Sequence, residues 1–129
     1  KKVVADMTSL QYFHLPGILH NTKERALDDK PYTFLSNNVL VAVNPLRKVS
    51  SPKGALGKPS AIKHPHPFAI AEGAFQQMCF GQKQKSSETP VNQSIVVGGE
   101  SGAGKTESSK MVLKHLVSRC DGQEDDLDA

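Results

Sequence analysis

The strongest chemical signal in the sequence is Gly99-Glu100-Ser101-Gly102-Ala103-Gly104-Lys105-Thr106, which fits the phosphate-loop pattern G-x-x-x-x-G-K-[ST]. Positions 99, 102 and 104 carry no side chain and Ala103 carries only a methyl. Triphosphate oxygens can therefore approach the main chain closely and be lined by backbone N–H groups. Lys105 offers a point charge between the outer phosphates, and Thr106 offers a hydroxyl to Mg²⁺. A helix beginning here would add the positive end of its dipole. The bland alternative, a glycine-rich turn before a helix, is disfavoured because the pattern and its strand–loop–helix context agree.

Such a loop needs a strand before it and a helix after it. Residues 94–98 (SIVVG) are apolar without alternation, which predicts a strand buried on both faces. After the loop, Met111, Val112, Leu113, Leu116 and Val117 recur at helical spacing and predict a buried stripe ending near Arg119.

Upstream, residues 6–10 can start a helix capped by Asp6 or Thr8, with Leu10 and Phe13 buried. Residues 3–6 read only weakly as a strand ending in a Mg²⁺-holding carboxylate, because the run is short and Thr8 continues as a cap. Pro16 suits a first helical turn, with Ile18, Leu19, Thr22, Arg25 and Ala26 following to about Leu27. His14 and His20 have no ligand cluster around them and read as packing or surface residues. Residues 32–35 and 39–43 read as a strand pair around the turn Ser36-Asn37-Asn38. Asn44-Pro45 ends the second strand. Residues 46–66, rich in proline and basic side chains, read as a long loop of the kind that is usually functional. A second strong helix opens at 65–68, buries Phe68, Ile70, Ala71, Ala74, Phe75, Met78 and Cys79, and is expected to stop at Gly81. Residues 82–90 are polar and predict a surface loop.

Composition limits the partners. The 16 Lys and Arg against 13 Asp and Glu give a formal charge of +3. All 16 basic residues precede position 121, whereas five acids crowd the last nine residues. A basic body suits a polyphosphate or an acidic partner. Nucleic acid is disfavoured, because the five Phe and two Tyr are scattered and form no RNA-binding aromatic motif. No apolar run approaches the roughly 18 residues of a membrane span, and residues 1–15 lack a secretory leader's core, so a soluble intracellular protein is expected, with no direct membrane insertion. Cys79 and Cys120 lack metal spacing and read as reduced thiols, and the sequon at Asn92 reads as chance.

Taken together, DMTSL, PGILHNTKER, PYTF, VAVNP, PHPFAIAEGAF and NQSIVVGGESGAGKTESSKMVLKHL, in that order from Asp6 to about Val117, resemble the myosin motor domain. The stretch GESGAGKTE preceded by Asn92-Gln93-Ser94 is far more specific than the phosphate loop alone. The resemblance implies an α/β P-loop NTPase core with a mostly parallel, helix-flanked central sheet, of which this chain carries part. The phosphate-loop strand would be central, with residues 39–43 in the same sheet. It implies an actin-activated ATPase using ATP and Mg²⁺, located in the cytoplasm on the cytoskeleton, with actin as partner and light chains or calmodulin bound downstream.

On the same resemblance, Lys105 and Ser101 act at the reacting phosphate and Thr106 on the metal. Gly99, Glu100, Gly102, Ala103 and Gly104 complete the cradle, and Asn44, Pro45 and Lys48 belong to a purine-side loop. That loop usually ends in a Tyr eight residues after its Asn, where this chain has Pro52, which has no hydroxyl to offer. Base recognition is then either altered or carried by main chain and Lys48. Gly98 and Ser108 replace a usual Thr and Asn. The family's two switch segments have no counterpart here, so this chain should bind nucleotide far better than it hydrolyses it. Residues 1–120 thus read as the opening portion of a motor and 121–129 as a flexible acidic surface-loop segment. A different P-loop NTPase, or a non-catalytic nucleotide-binding module, stays open as an alternative. A GTPase lacks support because no Asn-Lys-x-Asp occurs.

Overall fold

Two β-rich runs flank Asn37-Asn38, and residues of that type tolerate the backbone a tight turn requires. They form an antiparallel hairpin, β1 (Tyr32–Ser36) and β2 (Val39–Ala42), pairing Tyr32 with Ala42 and Phe34 with Leu40, with an irregularity between Phe34 and Ser36. The computed structural model describes residues 3–49, 54–62, 64–83 and 92–121. Pro52, most of the 82–90 loop and the acidic segment after Asp121 lie outside the described residues.

Helix α1 (Leu15–Leu27) starts where Pro16 predicts. Its N-cap is His14, whose Nδ1 accepts from Gly17 N–H at 2.9 Å, a capping role its spacing did not reveal. Arg25 joins α1 to β1, donating from Nε to Thr33 Oγ1 and from Nη2 to the Tyr32 carbonyl, both at 2.9 Å. Buried Asn21 brackets the Val4 backbone, accepting from its N–H at 2.8 Å and donating to its carbonyl at 3.0 Å.

Residues 6–10 give only a 3-10 turn over Met7–Ser9, capped by Asp6, which accepts from Thr8 N–H and Thr8 Oγ1. Met7 is buried in place of the expected Leu10 and Phe13, and Phe13 is 57% exposed. The turn is too short for a helical stripe, so one inward side chain is all it can bury. The Asp6 carboxylate is committed to that cap, which lowers its pKa, and the segment touches β1 through one parallel bridge to Phe34.

Helix α2 (Pro67–Lys83) packs along α3 (Lys105–Asp121). Gly81 does not stop α2, which continues for two residues. A single glycine costs a helix only about 1 kcal/mol relative to alanine, and no proline follows to enforce the stop. Phe68, Ala71, Phe75 and Val112 form the apolar contact. Among them lies a polar cluster that the periodicity did not reveal. Glu72 Oε2 accepts from His115 Nε2 at 2.9 Å and lies 3.0 Å from Arg119 Nε, while Glu72 Oε1 accepts from Gln76. Gly57 N–H reaches His115 Nδ1 at 3.3 Å, which leaves Nε2 as the donor to Glu72 and ties the long loop to α3. That loop also contains a 3-10 turn, Pro59–Ala61, and buries Ala55.

The stripe of α3 that meets α2 therefore runs through Val112, His115 and Arg119. Leu113 (62%) and Val117 (58%), predicted as core, face solvent. The five apolar positions spread over more of the helix circumference than the face turned to α2, and no element among the described residues covers the 113/117 side. The run at 94–98 is likewise not a strand here. The described sheet contains only β1 and β2, and Val96 is 90% exposed. An extended apolar run becomes a strand only when neighbouring strands take its N–H and C=O groups.

His66, 4% exposed, meets Tyr32 edge-on at 5.1 Å and Phe68 at 4.2 Å, and its Nδ1 accepts from Phe68 N–H at 3.2 Å. Burial, and secondarily His115, lower its pKa to about 4 from 6.5. The unfolded chain then takes up a proton that the folded site refuses. Stability from this group is complete above about pH 6.5 and declines toward pH 4, by about 3 kcal/mol in all. Hydrogen-exchange protection of the Phe68 amide is expected to fall over that window, and His66→Gln is expected to flatten the dependence. An unchanged pH profile in His66→Gln would assign it to another group.

Candidate phosphate-binding loop

Residues 99–106 connect the unpaired 94–98 run to the first turn of α3, whose helix starts at Lys105. Gly102 (φ 79°) and Gly104 (φ 92°) hold left-handed backbone that a side chain would strain. Their alternation with Ala103 and Lys105 folds the loop back on itself. Ala103 N–H donates to the Glu100 carbonyl at 3.2 Å, and Ser108 N–H donates to the Gly104 carbonyl at 3.0 Å, the first bond of the helix ladder. A successive turn of this kind ending on a helix N-terminus is an anion-binding geometry.

Glu100, Ser101, Gly102 and Thr106 are exposed, while Ala103, Gly104 and Lys105 are half-buried. The Lys105 ammonium folds back over the loop and donates to the carbonyls of Gly99 (2.8 Å) and Glu100 (2.7 Å). Glu107, in the first turn of α3, is turned aside by an exposed pair with Lys110 at 2.9 Å.

Of the purine-side residues, Asn44 meets the loop directly: its Nδ2 donates to the Gly102 carbonyl at 2.7 Å. Its Oδ1 accepts from Leu46 N–H at 3.0 Å, closing a side-chain turn that helps Leu46 hold φ 54°. Pro45 and Lys48 lie exposed on the same segment, and Arg47 pairs with Asp29. The structure thus brings Asn44 together with the cradle, 58 residues apart in sequence.

A cavity of about 590 Å³ opens beside the loop. Its walls are β2 (Val39, Leu40), one face of α2 (Ile70, Ala74) and the 94–98 run (Ile95, Val97), and it reaches Lys105 at one end. It therefore lies between β2 and the 94–98 run.

The family model for the myosin head (motor domain) matches residues 4–128. The chain belongs to the myosin motor-domain family. Among curated myosins it is 44% identical over 124 residues to myosin-13 of Arabidopsis thaliana, covering 88% of this chain and 7% of that protein. It is 42% identical over 123 residues to unconventional myosin-VI of Homo sapiens, covering 91% of this chain and 9% of that protein. The chain thus spans less than a tenth of the length of these myosins. Among the described residues, no helix is long and apolar enough to cross a membrane.

Proposed function

We propose that this chain is the part of an actin-based motor that grips Mg·ATP, with hydrolysis and force generation belonging to the complete motor. The observation that carries the reading is the glycine-turned loop at the head of α3 with Lys105 lying across it, in a chain of the myosin family. The loop suits the ligand. A Cβ built at Gly102 meets nothing within 4 Å, so the crest opens onto free space, and the Ser101 and Thr106 side chains are accessible there.

On this reading residues 99–106 cradle the phosphates, Lys105 and Ser101 act at the reacting phosphate, Thr106 holds Mg²⁺, and Pro45 and Lys48 flank the base. The metal, when bound, supplies charge neutralisation. Lys105 exchanges two neutral carbonyl acceptors for anionic oxygens, a stronger pairing for an ammonium group. The fold reading is a P-loop NTPase core with a mostly parallel sheet, and the cavity between β2 and 94–98 is where strands from elsewhere in the motor would enter. The motor acts on actin in the cytoplasm, with light chains or calmodulin attached beyond this segment.

The experiment is cosedimentation of the complete polypeptide with actin filaments, with and without Mg·ATP, beside its steady-state turnover. The expected result is binding without nucleotide, release with it, and turnover raised by actin. Sedimentation indifferent to Mg·ATP, together with no turnover, would remove the reading.

A further inference from the structure

A loop that points its N–H groups at an anion turns its carbonyls the other way, where side-chain donors can take the place of water and hold the loop's shape. In this loop Lys105 supplies Gly99 and Glu100, and Asn44 supplies Gly102. The first two supplies are temporary, because the same ammonium is required by the phosphates once a ligand is present. The bond from Asn44 Nδ2 to the Gly102 carbonyl competes with no ligand group, so it can persist through binding.

We infer that Asn44 is a positioning residue, a brace that fixes the crest of the phosphate loop to the hairpin through the Gly102 carbonyl and does not itself read the base. The inference rests on the nucleotide-binding reading above. Three features support it. The orientation of the amide is fixed by its partners, since Gly102 offers only an acceptor and Leu46 only a donor. One N–H of the amide and one lone pair of Oδ1 are thereby committed within the protein, so the side chain cannot swing toward a base without breaking both bonds. Finally, Asn44 lies two residues past the end of β2, and the intervening Val43 N–H donates to the Pro31 carbonyl at 2.9 Å, so the brace is anchored to the hairpin.

A brace and a base reader differ in what they do to a ligand that has no base. The test measures Mg·pyrophosphate and Mg·ADP affinities by calorimetry in the complete motor, for the wild type, Asn44→Ala and Asn44→Asp. Asn44→Ala is expected to weaken both ligands by the same factor, about three- to tenfold for one hydrogen bond, with the melting temperature kept. Asn44→Asp keeps the acceptor for Leu46 N–H but sets a carboxylate against the Gly102 carbonyl near the ligand's charge. It should weaken both ligands further, and it decides the matter if the alanine variant fails to fold. Weakened ADP with unchanged pyrophosphate would make Asn44 a base reader and overturn the inference, as would two unchanged affinities. A wild type that binds neither ligand fails the nucleotide reading itself, an outcome visible before any variant is compared.

Discussion

Lys105→Ala is expected to abolish nucleotide-dependent release from actin in the complete motor. Two losses act together. The ammonium that would oppose the outer phosphates is gone, and of the two carbonyls it now bridges at 2.8 and 2.7 Å, Gly99 loses that donor while Glu100 keeps only Ala103 N–H. Removing one preorganised group that stabilises developing charge typically costs on the order of a hundred- to a thousandfold in rate. A full positive charge in a half-buried setting belongs at the upper end. The measurements are affinity for a fluorescent ATP analogue and the fraction of motor released from filaments by Mg·ATP. Lys105→Arg separates the two losses, because it keeps the charge while replacing the compact ammonium with a planar fork. Wild-type affinity and turnover in Lys105→Ala would refute the role given to this side chain.

What the sequence made legible was chemistry set by neighbours in the chain. The turn at Asn37-Asn38, the proline starts of α1 and α2, and the start of α3 at Lys105 are all decided within a few residues, and each appears where expected. What stayed hidden depends on partners remote in sequence. The apolar run at 94–98 has the composition of a strand but is not paired in the described sheet, and Leu113 and Val117 have the spacing of a core but face solvent. The Glu72, His115 and Arg119 cluster escaped for the opposite reason. Charged side chains on a helix read as a solvated face, and nothing local says that residues 43 apart will meet. A signal did exist. Glu72 stands four after Phe68 and three before Phe75, and His115 stands three after Val112, so both fall on the buried stripes of their helices. The contact from Asn44 to Gly102 had no such signal, since it joins two loops whose relative placement only the fold supplies.

Residues 1–129 expressed alone are expected to be a poor folder and a poor ATPase. The buried apolar core among the described residues is Met7, Ala55, Phe68, Ala71, Phe75 and Val112, and two of those six are alanines. Against it, Leu15 (76%), Leu19 (66%), Leu27 (72%), Val96 (90%), Leu113 (62%) and Val117 (58%) remain exposed. Each such side chain forgoes roughly 1.5–3 kcal/mol of burial, and a handful of them equals the whole stability of a typical domain, about 5–15 kcal/mol. The described sheet has two strands, an arrangement marginal on its own, and the extended run before the phosphate loop has no ladder partner there. Chemistry should fail with folding. On the proposed reading, the groups that orient the attacking water and neutralise the transition state lie in other parts of the motor, and a single group of that kind is worth on the order of a thousandfold or more in phosphoryl transfer. The measurement is a thermal melt followed by circular dichroism, beside Mg·ATP turnover with and without actin. A broad, non-cooperative melt and turnover indistinguishable from buffer are expected. A sharp melt with actin-stimulated turnover would mean that the α2 and α3 pair, with its buried Glu72 and His115, supplies far more stability than its apolar area allows.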